Sequence, residues 1–262
     1  MKKFVLIVGL IFLGSLSLMA QEEPKAPALP FNETIQQIQD PDQVASTLEV
    51  IALISILTLA PSILVLTTAF TRIVIVMSFL RRALSTQSLP PNQVIVGLSL
   101  FMTFVVMQGT WSASWEQGIS PYIEGKITDK TVAYDAAVKP IRTFMFAQIQ
   151  ENGWEDLNLF IEASKMEVGD KGLSYDDIPL SMLSSAFVLG ELKRAFVMGF
   201  FLFLPFLIID MVVASILMSM GMMMLPPAMI SLPFKILIFI LADGWRLVVG
   251  NLMDSFVMIG SG

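Results

Sequence analysis

From Val50 to Phe70 the chain runs 21 residues without a charge. As a helix rising about 1.5 Å per residue, such a run is long enough to cross a hydrocarbon core. Three more apolar blocks come after it. Ala83 to Trp115 is uncharged throughout, Ala195 to Leu225 is interrupted only by Asp210, and Ile230 to Met258 holds Lys235, Asp243, Arg246 and Asp254. Pro90-Pro91 marks the entry to the second block, where Trp111 and Trp115 suit an interfacial belt. Pro226-Pro227 breaks any continuous helix between the third and fourth, which read as two helices joined by a hairpin turn.

Composition agrees with an apolar surrounding. Hydrophobic residues are 55% of the 262 and charged residues 15%, against roughly 45–50% and about 25% in ordinary globular domains. Apolar surface must therefore face lipid or a partner protein. With no Cys and no His, disulfide frameworks, thiolate nucleophiles, His-based triads and most transition-metal sites are removed, as is a lipoprotein signal. A net charge of −6 argues against a nucleic-acid partner, which wants a basic face. No cofactor, metal or catalytic residue is expected.

Loop charge sets the expected orientation. Residues 71–92 hold Arg72, Arg81 and Arg82 and no acid, whereas Ser112 to Ala186 holds 12 acids and 6 bases. By the positive-inside rule the first is a cytoplasmic turn, with the three arginines as its topology anchors, and the second lies outside. Residues 1–20 read as a secretory signal: Lys2 and Lys3, an apolar core from Phe4 to Leu18, and cleavage after Ala20. An uncleaved anchor helix is the alternative. Lys193 and Arg194, near the outer end of the third block, run against the scheme without outweighing the summed bias.

The expected fold is all-α: a polytopic membrane protein with four apolar helical segments in hairpins and a small helical periplasmic domain. Its parts are a signal peptide (1–20), a Pro-rich periplasmic linker (21–47) and a first helical hairpin (48–115). A periplasmic helical domain (116–186) and a second hairpin with a Met-rich loop (187–262) complete it. In the periplasmic domain Ile141, Phe144, Met145 and Ile149 recur at helical spacing, and Asn152-Gly153 is a stop signal. Leu157, Phe160 and Ile161 begin a second short stripe. Asp177 is placed to cap a helix starting near Pro179.

Three features depart from a plain bundle of spans. Asp210, Lys235, Asp243 and Arg246 are charges inside apolar blocks; they face protein, pair with one another or line water. They fit a transport path or a subunit contact, and equally an ion pair that only sets helix register. Six methionines (Met218, Met220, Met222, Met223, Met224 and Met229) crowd into 12 residues. Such a cluster is either core filling or a soft surface that re-packs around variable partners. Asp210 and Asp243 invite an intramembrane aspartyl protease, but the glycine-x-glycine-Asp arrangement of those enzymes is absent.

The motifs themselves resemble one family. Phe70-Thr71-Arg72-Ile73-Val74-Ile75-Val76, Leu80-Arg81 and Pro90-Pro91-Asn92-Gln93-Val94 are similar to the first signature of the FliP family of flagellar type III secretion proteins. Glu191-Leu192-Lys193, Ala195-Phe196, Gly199-Phe200 and Pro205 to Asp210 resemble its second. Met220 to Met224, Pro226-Pro227, Leu232-Pro233-Phe234-Lys235 and Asp243-Gly244-Trp245 continue it, so the resemblance runs from about Leu48 to Phe256. Departures are local. Ser185 stands where the family usually has proline before Ala186, Gly190 replaces a common serine and Arg194 a common threonine, and Gln108-Gly109 lies where a proline is usual.

The resemblance implies a homo-oligomer, a pentamer by the family's pattern, built with the FliQ and FliR export-gate proteins in the inner membrane of the flagellar basal body. Exported flagellar proteins are its cargo. It further implies a pore gasket at Met222, Met223 and Met224, and intersubunit ion pairs at Glu191, Asp210 and Lys235. Phe144 and Phe160 are assigned to self-association of the periplasmic domain. In such gates much helical material packs against other subunits, which tolerates charge at apolar depth. The equivalent subunit of a virulence injectisome shares these motifs, although it usually lacks an extension like Met1 to Asp42. A rival from another class is an oligomeric small-solute transporter, whose usual internal repeat is missing here.

Overall fold

The computed structural model describes residues 41–86, 90–152, 154–165, 178–222 and 225–257. The signal, most of the linker and Asp177 lie outside the described residues. Every regular element among them is helical. The chain divides into two compact units, Met1–Val65 and Leu66–Gly262. Within the first lies most of α1 (Pro41–Thr67), with the apolar run Val50–Leu59.

The second unit begins at Leu66, in the last turn of α1, just before the helix breaks at Thr68 and Ala69. Helix α2 (Phe70–Ala83) buries Ile73, Val76, Met77 and Leu80, an i, i+3, i+4, i+7 stripe. Arg81 and Arg82 in its last turn offset the negative end of the helix dipole. The helix stops at Leu84, and Ser85 takes the left-handed conformation at φ +57°, the usual way to end a helix although glycine more often does it. Helix α3 (Asn92–Ser114) enters behind Pro91 and continues through a π turn (Trp115–Ile119) into the short α4 (Ser120–Ile123). Helices α5 (Lys130–Asn152) and α6 (Glu155–Ala163) match the two predicted stripes, and α5 stops at Asn152.

Helix α7 (Leu180–Ser219) is 40 residues long and is the spine of the unit. Its buried residues Leu183, Phe187, Glu191, Ala195 and Gly199 recur every four positions and lie along α2. Gly199 permits the closest approach, since a Cβ there would stand 2.6 Å from the Phe79 ring. Helices α8 (Pro227–Leu241) and α9 (Gly244–Asp254) come next, bent 65° from each other.

Two helices are long and apolar enough to cross a membrane, Asn92–Ile123 and Leu180–Ser219, and α8 with α9 makes a third if the bent pair is one span. Two to three is thus the count among the described residues where hydropathy predicts four. Of the first block, the described residues hold the apolar run Val50–Leu59 within the 27-residue α1. Helix α7 also runs unbroken across Ala186 and Phe187, the boundary drawn between periplasmic domain and second hairpin.

Candidate functional site

Two buried ionic clusters sit on α7, centred 19 residues apart, which is about 28 Å along a helix at about 1.5 Å per residue. The first is built on Arg72, whose side chain is 0% exposed, and Glu191, 1% exposed. Arg72 Nε donates to Glu191 Oε2 at 2.9 Å, and Nη2 donates to Oε1, closing a fork. Nη2 also reaches Gln148 Oε1 at 3.3 Å, while Nη1 reaches the Ser255 carbonyl at 2.6 Å and Ser255 Oγ at 3.0 Å. Five guanidinium N–H groups meet five acceptors, the full donor capacity of an arginine. Phe256 lies beneath, its ring centroid 3.9 Å from the guanidinium carbon. The cluster thereby joins α2, α5, α7 and the two residues that follow α9, Ser255 and Phe256.

The second cluster is built on Lys235 of α8, also 0% exposed. Its ammonium donates to Asp210 Oδ2 at 2.7 Å, Ser85 Oγ at 2.6 Å and the Ala83 carbonyl at 3.2 Å. Again the donors are saturated, three N–H groups on three acceptors. The Ala83 carbonyl is one of the orphan acceptors at the end of α2, so Lys235 caps that helix from another element. The other Asp210 oxygen accepts from Ser231 Oγ at 2.5 Å. Asp210 is 31% exposed and is the wet edge of the cluster.

Of the four charges that hydropathy marks as anomalous, Asp210 and Lys235 satisfy each other inside the chain, whereas Asp243 and Arg246 are exposed; Glu191 is satisfied by Arg72. Arg72, named from sequence as a cytoplasmic anchor, is a core residue, whereas Arg81 and Arg82 stay at the turn. Arg81 donates to Asn92 Oδ1 at 2.7 Å, and Arg82 lies over the Phe79 ring at 5.0 Å. Phe144 is fully buried edge-on to Phe187 at 5.9 Å, so it shapes α5 from within. Phe160 packs on the core and keeps a partly open side. Sequence reasoning missed Gln148, Ser255, Ser231 and Ser85, none of which carries a charge to draw notice. It did flag Lys193 and Arg194, and the packing explains their odd placement. Lys193 pairs with Asp156, and Arg194 with Glu151 at 3.3 Å, so acids of α5 and α6 neutralise both.

The methionine loop begins at a defined stop. Gly221, at φ +75°, donates to the Met218 carbonyl, and Met222 donates to the Leu217 carbonyl, both at 3.0 Å. This is a Schellman closure of α7, which needs the left-handed residue that glycine supplies. Met222 is half-buried, and Met218, Met220 and Met229 are exposed. Met223 and Met224 lie outside the described residues.

Outside the clusters the long helices turn large apolar side chains outward: Phe196, Phe200, Ile208 and Met211 on α7, Phe234 and Leu241 on α8. Apolar faces of this extent meet lipid or protein in a folded assembly. Fold and site together define a class, the helical membrane protein that locks its inner charges and leaves its outer faces for its surroundings. The chain belongs to the FliP family: the family's sequence model matches residues 53–252. It is 52% identical over 217 residues to the flagellar biosynthetic protein FliP of Bacillus subtilis, covering 83% of this chain and 95% of that one. To the protein of the same name from Caulobacter vibrioides it is 48% identical over 208 residues, 79% and 76% of the two chains. To that of Treponema denticola it is 42% identical over 239 residues, 91% and 86% of the two.

Proposed function

We propose that this chain is a core subunit of the flagellar type III protein export gate, a multi-pass protein of the bacterial inner membrane. With partner membrane proteins it forms the conduit and seal through which unfolded flagellar subunits pass. The observation that carries the reading is membership of the FliP family across residues 53–252, a span that includes both buried ion pairs and the methionine loop. The uncovered apolar faces of α7 and α8 support it, since a gate subunit needs neighbours and lipid to cover them. The assembly is a homo-oligomer, a pentamer, joined to FliQ and FliR. Four apolar segments and a periplasmic domain complete the subunit, and Glu191, Asp210 and Lys235 support contacts between copies through the elements they lock.

The test is co-purification of the tagged chain from solubilised membranes of its own host, with mass spectrometry of the proteins that elute together with it. The expected result is a large complex containing the Q and R export-gate proteins. Recovery with the partners of a virulence injectisome moves the chain to that branch. A lone small oligomer, in cells that are building flagella, overturns the reading and favours a solute transporter.

A further inference from the structure

Helix α9 carries a polar outer face that the two ionic clusters do not use. Its inner side is apolar: Leu252 is fully buried, and Val248, Val249 and Met253 pack against the core. On the opposite side Asp243, Arg246, Asn251 and Asp254 recur at helical spacing around an exposed Leu247, and all four polar residues are exposed. None of their side chains makes an ion pair or hydrogen bond among the described residues. Arg72, Glu191, Asp210 and Lys235 are handled in the opposite way, each with its partners inside the chain. A shallow groove runs along the polar face from Ala242 to Asp254.

The bend before α9 presents this face. Asp243 ends α8 at φ +49°, ψ +48° and begins α9, with a 65° change of direction. Gly244 is held under the Phe239 ring, where a Cβ would collide, and Trp245 stands edge-on to the same ring at 5.5 Å. The polar face is thus fixed by packing on its inner side. In hydrocarbon three unpaired charges are costly, so lipid does not cover it. Midway along the face is Gly250, where a Cβ would meet nothing within 4 Å. An open, charged, concave strip with its smallest residue at the centre suits water and a passing extended chain.

We propose that the outer face of α9, from Asp243 to Asp254, lines the water-filled part of the path taken by the exported polypeptide; this rests on the export-gate reading. The chain has no cysteine, so a single introduced thiol is a clean reporter. In the solubilised complex carrying the full chain, Asn251→Cys and Asp254→Cys are treated with a charged methanethiosulfonate, with Ile208→Cys on the apolar face of α7 as control. Thiolate chemistry needs water, so labelling about ten-fold faster at 251 and 254 than at 208 is expected. Equal, slow labelling overturns the proposal.

Gly250 gives a second, independent readout. The Cβ position of Gly250 is open within its own chain, so Gly250→Trp is expected to leave the complex assembled while secretion of flagellar subunits is lost; Gly250→Ala keeps both. Normal secretion with Gly250→Trp overturns the proposal, and so does loss of assembly, which assigns the face to a second copy or partner. Failure of the unaltered chain to join a gate complex at all is a separate result and strikes the parent reading instead.

Discussion

Arg72 and Glu191 face each other as a two-bond fork in the core of the second unit, 119 residues apart in sequence. Every remaining guanidinium N–H is taken up by Gln148 and Ser255. Removing one partner of such a pair strands a buried charge and costs about 3–5 kcal/mol, whereas replacing both by apolar residues is far milder. Arg72→Met or Glu191→Leu alone should therefore lower the thermal midpoint of the solubilised protein sharply. The double variant should recover much of the loss. A double variant no better than the worse single would refute the pairing as the source of stability.

Lys235 reaches a helix end that is not its own. Lys235→Met leaves the Ala83 carbonyl and Ser85 Oγ without the ammonium they share. Asp210 retains its path to water, so the overall loss should be smaller than for Arg72→Met. The loosening should concentrate in the α2–α3 turn, seen as faster amide exchange at Ser85, whose N–H bonds the Arg82 carbonyl at 3.0 Å. Asp210→Asn should behave more mildly than Lys235→Met, because the amide oxygen can still accept from Lys235 while its NH2 donates to Ser231 Oγ, whose own hydrogen can turn to the Ala228 carbonyl. Uniform loosening across α2, with no focus at the turn, would count against the capping role.

Gly199 and Phe79 set how closely α2 and α7 approach. With the added Cβ 2.6 Å from the ring, Gly199→Ala should cost about 1–3 kcal/mol by overpacking. Phe79→Ala in the same chain should relieve part of that penalty, although it costs packing itself. The check is a four-way thermal comparison of native, single and double variants.

Asp129 stands before α5, outside the apolar helices, and its carboxylate accepts from the Thr131 hydroxyl at 2.6 Å and the Thr131 amide at 2.8 Å. The hydroxyl bond first, and the amide with it, hold this carboxyl below the usual carboxylate range. A depressed folded value contributes stability above the unfolded pKa of about 3.9, lost as pH falls through the folded value. Protection of the Thr131 and Val132 amides against exchange should therefore fade in acid, and Asp129→Ala should flatten that dependence. Equal acid sensitivity in both proteins would assign the effect elsewhere.

How far the sequence could be read depended on whether the signal was local. Pro91 and Pro226 sit directly before helix starts, and Asn152 ends α5, because proline geometry and stop residues act within a turn or two. The start of α7 was legible too, since a helix was expected near Pro179 and begins at Leu180. Its continuity was harder: the helix opens 15 residues before the apolar block at Ala195, because Glu191, Lys193 and Arg194 interrupt the hydropathy. Those charges are satisfied by Arg72, Asp156 and Glu151, partners on α2, α6 and α5 that no spacing rule could supply. Orientation counting reads Arg72 by its sign alone and cannot see its burial. The family motifs reached Glu191, Asp210 and Lys235 as important residues, but which group each one meets had to come from three-dimensional packing.

The methionine loop carries the last prediction. Its entry is fixed, since Gly221 closes α7 and hands the chain to Met222. Beyond that point the proposed seal depends on thioether side chains that deform around different contacts. Replacing Met222, Met223 and Met224 together by Ala removes that bulk and leaves the Gly221 stop intact. Assembly should therefore persist while the resting membrane becomes permeable to small ions, read as faster dissipation of an imposed ion gradient in cells carrying the variant. Replacement by Leu, apolar and similar in volume, should leak less than Ala yet export less freely than Met, because a branched side chain re-packs less readily. Tight membranes and normal export with the alanine variant would remove the loop from the seal.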